Sequence, residues 1–160
     1  MPLSQSDDIR FLRRSLKIAA EARAAGNHPF GALLVDDKGH VLIEAGNDFT
    51  HQGGPGHAES ILAREAAMLY EPETLAKCTL YTGFEPCAMC AGTTYWAGIG
   101  ALVYGMSEKR LSELTGSNAE NPTMDLPCRS VFEAGQRKTE VRGPFPELEG
   151  EILKSHEGFW

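Results

Sequence analysis

The 160-residue chain predicts one α/β domain, a three-layer sandwich with helices on both faces of a mixed sheet. Three observations carry that expectation. Some segments repeat apolar residues at helical spacing, others are short β-type apolar runs, and the two kinds alternate with no repeat, charge block or Ser/Gly linker between them. The first segment is helical: Ile9, Leu12, Leu16, Ala19 and Ala20 recur at helical intervals from Asp7 onward, Asp7 and Asp8 suit the positive helix end, and Gly26-Asn27 terminates it. Apolar runs at 30–35 and 41–43 flank the turn-like Asp36-Asp37-Lys38-Gly39 and predict a hairpin. After Gly53-Gly54-Pro55-Gly56, residues 57–70 are rich in good helix formers and predict a second helix. Residues 78–82 predict a strand, Pro86 marks the first turn of a third helix, and residues 101–104 predict another strand. Beyond Gly105 the expected elements are a short helix over 107–114, a loop over 118–127, a strand over 139–142 and a closing helix over 147–156.

Composition narrows the function classes. Hydrophobic residues at 42% and charged residues at 23% exclude a collagenous, low-complexity or disordered chain. No apolar run approaches the roughly 20 residues of a membrane span, and the first fourteen residues carry early acids rather than a secretory core, so a cytoplasmic protein with no membrane partner is expected. Fifteen basic against 22 acidic residues give a net charge of -7, which disfavours a nucleic-acid partner. Cys87 and Cys90 form a C-x-x-C, so metal or redox chemistry comes before a disulfide framework.

Two motifs carry that chemistry, His57-Ala58-Glu59 and Pro86-Cys87-Ala88-Met89-Cys90. Three positions along a helix turn about 300°, so both sulfurs can face one ion. His57 and Glu59 stand roughly 200° apart and converge only at a helix start, with the metal just beyond it. One imidazole and two thiolates are too few for a closed structural zinc site and fit a catalytic one whose fourth position holds water, activated by the ion. Glu59 is no ligand and is placed to carry protons, while backbone N–H groups near Ala58 and Cys87 can orient the nucleophile. A redox C-x-x-C has no use for His57-Ala58-Glu59. Cys78 reads as a buried strand residue and Cys128 as inert, near the surface or under a lid. His28, His40, His51 and His156 read as solvated.

The order H-x-E, then P-C-x-x-C, is the signature of zinc nucleobase deaminases. The chain resembles that superfamily further in Pro29-Phe30-Gly31-Ala32, in Gly46-Asn47, in Glu85 ahead of the cysteine motif and in Ala91-Gly92 after it, across roughly residues 11–105. The resemblance implies a cytidine-deaminase-like fold with five strands, one Zn²⁺ per subunit and a homodimer. Phe30 with Tyr95-Trp96 is similar to the guanine deaminase branch, although the Phe-Asp-Asp segment of that branch is absent. By that resemblance Asn47 hydrogen-bonds the base, Phe30 and Trp96 wall it, and a C-terminal aromatic, Trp160, closes over it, from its own or a neighbouring subunit. Asp125 is the candidate substitute for the missing purine-reading carboxylate. Residues 1–160 then form one deaminase domain, with 106–160 a variable substrate-capping region. The expected reaction is hydrolytic deamination of a small amino-heterocycle, guanine to xanthine and ammonia first. The alternatives are a tRNA adenosine deaminase, a cytosine or cytidine deaminase, and a catalytically silent zinc-stabilised interaction module.

Overall fold

A computed structural model of the chain describes residues 3–116 and 118–160. Helix α1 (Gln5–Ala24) starts two residues ahead of the expected Asp7 because Ser4 caps it: the Ser4 hydroxyl accepts the Asp7 N–H, and the Asp7 carboxylate accepts the Ser4 N–H. The hairpin follows as β1 (Gly31–Val35) and β2 (Val41–Gly46), then a short α2 (Phe49–Gln52), α3 (Ala58–Leu69) and a one-turn α4 (Pro72–Leu75). Next come β3 (Thr79–Phe84), α5 (Ala88–Ala97), β4 (Ala101–Met106), α6 (Glu108–Thr115), α7 (Cys128–Glu133), β5 (Glu140–Arg142) and, after a 3-10 turn at Pro146–Leu148, α8 (Glu149–His156).

The five strands form one mixed sheet in the order β2-β1-β3-β4-β5. Strand β1 is antiparallel to both neighbours, and β3, β4 and β5 run parallel. Side-chain alternation along each strand builds a core on each face. Leu33, Val35, Tyr81 and Val103 pack with Phe11, Leu12 and Ile18 of α1 and Ile152 of α8. Leu34, Leu80 and Leu102 pack with Leu62 of α3, Ala91 of α5 and Phe132 of α7. Three layers result. Gly31 lets α1 lie close on the sheet, since a Cβ there would sit 2.6 Å from Ser15 O and 2.7 Å from Ala19 N. Among the described residues no helix is long and apolar enough to cross a membrane.

The parallel pair β3 and β4 delivers its carboxyl ends to one place. Glu85 N–H donates to Met106 O at 2.7 Å, fastening the segment after β3 to the end of β4. This edge adjoins the change of strand direction between β1 and β3, where open α/β sheets place their ligands.

Candidate active site

The third helix differs from its expected start at Pro86: α5 begins at Ala88, with Cys87 as an extended N-cap at φ -66° and ψ 174°. His57 likewise caps α3, at φ -79° and ψ 139°. Both ligand-bearing segments therefore meet at helix starts, where the positive dipole end favours thiolates. His57 Nδ1 lies 3.6 Å from Cys87 Sγ and 3.4 Å from Cys90 Sγ. A nitrogen and a sulfur sharing one tetrahedral ion at about 2.0–2.3 Å stand about 3.5 Å apart, so both nitrogen–sulfur pairs have the spacing of zinc ligands, and all three donors lie within 4.8 Å of one another. Hydrogen bonding from Cys90 and His57 holds the Cys87 thiol well below its ordinary range, while the bond to Cys87 and burial push Cys90 up. Ser60, on the first turn of α3, donates its hydroxyl to Cys90 Sγ at 3.2 Å.

Glu59 is buried beside this cluster, and burial raises its carboxyl above the ordinary value. Thr82 of β3 donates its hydroxyl to Glu59 Oε1. Glu59 lines a cavity of about 40 Å³ together with His57, Cys87, Asn47, Phe30 and Phe84. Asn47 Oδ1 accepts N–H from His28 at 3.3 Å and from Phe49 at 2.9 Å, which leaves its amide NH2 as the group free to donate into the cavity.

Other expected residues lie elsewhere. Trp96 does not wall the cavity: it is 84% exposed on α5 with its ring against Tyr95, because six residues past Cys90 a helix has turned by about 240° away from the metal ligands. Asp125 is exposed in the loop before α7 and does not line the cavity. Trp160 does not line the cavity: its indole N–H donates to His156 Nδ1 at 2.8 Å and its ring lies 6.2 Å from that of Phe30. Ala58 is buried at the start of α3, where the helix leaves its N–H unpaired. His28 and His156 are buried, not solvated. His28 stacks on Phe49 at 4.3 Å, and its Nε2 lies 2.9 Å from Glu120 Oε1 at the cavity rim. Cys128 is buried too, with its N–H donating to Glu85 Oε2 at 2.8 Å.

Sequence reasoning missed Glu108, Leu111, Glu120 and Asn121, and placed Glu85 in the cysteine motif without a role of its own; all five line the cavity. For Glu85 and Glu108 a signal existed, since Glu85 directly follows the carboxyl end of β3 and Glu108 stands two residues past that of the parallel strand β4. Glu85 is structural: its Oε1 accepts the Glu108 N–H at 3.0 Å while Oε2 holds Cys128. Burial pushes the Glu108 carboxyl up to about 8.

An imidazole and two sulfurs clustered at the carboxyl edge of a mixed sheet, with a carboxyl outside the cluster lining the same cavity as His57 and Cys87, form the pattern of the zinc-binding deaminases. The comparisons agree. Residues 5–106 match the family described as the cytidine and deoxycytidylate deaminase zinc-binding region, and the chain belongs to that family. It is 37% identical over 154 residues to a probable cytosine deaminase of Schizosaccharomyces pombe, covering 96% of this chain and 92% of the relative. It is 38% identical over 105 residues to a guanine deaminase of Bacillus subtilis, covering 64% and 67%. A solved guanine deaminase from Nitrosomonas europaea superposes with a TM-score of 0.71 at 22% identity, over 98% of this chain and 86% of that one, and shares the fold.

Proposed function

We propose that the protein deaminates a free nucleobase hydrolytically, a single-ring base such as cytosine before guanine. The observation that carries the reaction is the position of Glu59, buried, outside the His57, Cys87 and Cys90 donor cluster, and lining the same cavity as His57 and Cys87. When bound, the zinc supplies a water that is nucleophilic at neutral pH. Glu59 takes a proton from that water and passes it to the ring nitrogen next to the amine-bearing carbon. It then moves the second water proton to the amine, which leaves as ammonia, and the ring keeps the oxygen as a carbonyl. Asn47 and Phe30 hold the base, and the amides at Ala58 and Cys87 orient the water.

One consideration favours the smaller base. A relative that matches 96% of this chain is a probable cytosine deaminase. The case for guanine rested on Phe30, which lines the cavity, and on Tyr95-Trp96, of which Trp96 lies outside it, as does Asp125, the candidate purine-reading carboxylate. Guanine remains the second reading on the strength of the Bacillus subtilis relative. The acidic charge weighs against tRNA as substrate.

Residues 106–160 act as the capping region in this reading, for Glu108, Leu111, Glu120 and Asn121 all border the cavity. The expected homodimer is supported by exposed Met68 and Leu69 on α3 and Trp96 on α5, two helices that pack together. Ammonia release from the zinc-loaded protein offered cytosine, cytidine, guanine, guanosine, adenine and tRNA tests the assignment. Cytosine is expected to give the highest kcat/KM, and release from none of them overturns it.

A further inference from the structure

We propose that Glu108 determines specificity by accepting a ring N–H of the bound base, so that the cavity takes heterocycles with an unsubstituted ring nitrogen and rejects their N-alkylated or ribosylated forms. The proposal rests on the base-binding reading above and names the residue that selects within it.

Glu108 is placed there by its backbone. Ser107 caps α6 by accepting the Arg110 N–H at 3.1 Å, and the Glu108 N–H is held by Glu85 Oε1 at 3.0 Å. With Ser107 and its own N–H fixed, Glu108 places its side chain on the cavity wall, only 6% exposed. Its Oε2 is buried without a hydrogen-bond partner among the described residues. Buried polar atoms are almost always paired, and an unpaired one costs about 1–3 kcal/mol, so a carboxyl on the cavity wall with an unfilled accepting oxygen suits a donor brought by the ligand. Rotation about the terminal torsion of a glutamate is soft, so either oxygen can be turned to it.

The opposite need is met by Asn47, whose oxygen is occupied by two backbone amides and whose NH2 donates. One donor and one acceptor on the same cavity suit a ring that carries both C=O and N–H. A carboxyl has an accepting oxygen whether protonated or ionised, so the match does not depend on its charge. In a nucleoside the nitrogen bearing the sugar has no hydrogen, and Glu108 is left unpaired against a bulky substituent. Penalties of this kind give large discrimination, because the cost falls on a buried polar group.

The test uses zinc-loaded protein and two ligands without a leaving amine, pyrimidin-2-one and 1-methylpyrimidin-2-one, titrated calorimetrically. Wild type is expected to bind the N–H form at least tenfold tighter. Glu108→Leu should bring the two affinities within twofold, while Glu108→Gln, which keeps an accepting oxygen, should retain a preference. The thermal midpoint of Glu108→Leu is expected not to fall, since an unpaired buried carboxyl has been removed; a structural role predicts a fall. A wild-type ratio near one, or an unchanged ratio in Glu108→Leu, overturns the proposal, and should Glu108→Leu not fold, loss of all preference in Glu108→Gln does so too. Preference for the N–H ligand without ammonia release from any base sinks the assigned reaction and leaves Glu108 standing. Ammonia release with no such preference sinks Glu108 alone.

Discussion

The Thr82 hydroxyl lies 2.5 Å from Glu59 Oε1 and donates to it, tying the proposed proton carrier to the central strand β3. A carboxyl that must take and return protons in one orientation benefits from such an anchor, because the second oxygen is then the one presented to the cavity. Glu59→Gln is expected to keep its zinc and lose about 10²–10⁴-fold in kcat. Thr82→Val should lose less, about tenfold, with KM little changed. Metal content and steady-state ammonia release check both.

The Ser60 hydroxyl on Cys90 Sγ gives a separate prediction about the metal. Groups that hydrogen-bond metal ligands orient them, and losing one typically weakens binding about 10–100-fold. Ser60→Ala should therefore release zinc to a competing chelator at a correspondingly lower concentration. Cys90→Ser should fail to retain stoichiometric zinc. Stripping the metal from wild type should lower its stability by about 3 kcal/mol relative to free zinc held a hundredfold above Kd, read as a fall in thermal midpoint.

His156 makes stability depend on pH. Its ring is buried against Phe30, Phe84 and Trp160, and burial, reinforced by the positive charge of Arg23, lowers it from 6.5 to about 4. The unfolded chain protonates this histidine near 6.5 while the folded chain does not, so stability is full above that pH and falls as pH drops towards 4. At about 1.4 kcal/mol per unit the loss is on the order of 3 kcal/mol. Denaturant titrations at pH 7 and pH 4.5 should show it, and His156→Phe should remove most of this part of the pH slope.

What was legible in the sequence follows the range of the interactions. His57, Glu59, Cys87 and Cys90 could be read because each motif is local and its chemistry is fixed by spacing. The strands could be read from apolar runs, and the long α1 and α3 from periodicity and composition. Helices α2, α4 and α7 could not: four to six residues are too few for propensity to decide, and such turns are held by tertiary packing. The cavity walls were harder still. Trp96 lies in the metal-binding helix yet faces outward by its phase, whereas His28 reaches the cavity because Phe49 and the C-terminal aromatics stack around it.

Asn47 allows the cleanest separation of binding from folding. Its Oδ1 accepts the His28 and Phe49 amides, and its own N–H donates to Phe30 O at 3.0 Å, so the residue also ends the hairpin. Asn47→Asp keeps an oxygen for both amides and changes only the atom left to face the cavity, from a donor to an acceptor. A carbonyl of the base then meets a second acceptor. KM for cytosine should rise at least about 100-fold, in line with the roughly 1–3 kcal/mol cost of an unmatched buried polar group plus its repulsion, while the thermal midpoint stays close to wild type. Asn47→Ala loses the amide acceptor as well and should fall in both. If Asn47→Asp binds cytosine as wild type does, the side chain serves the turn alone.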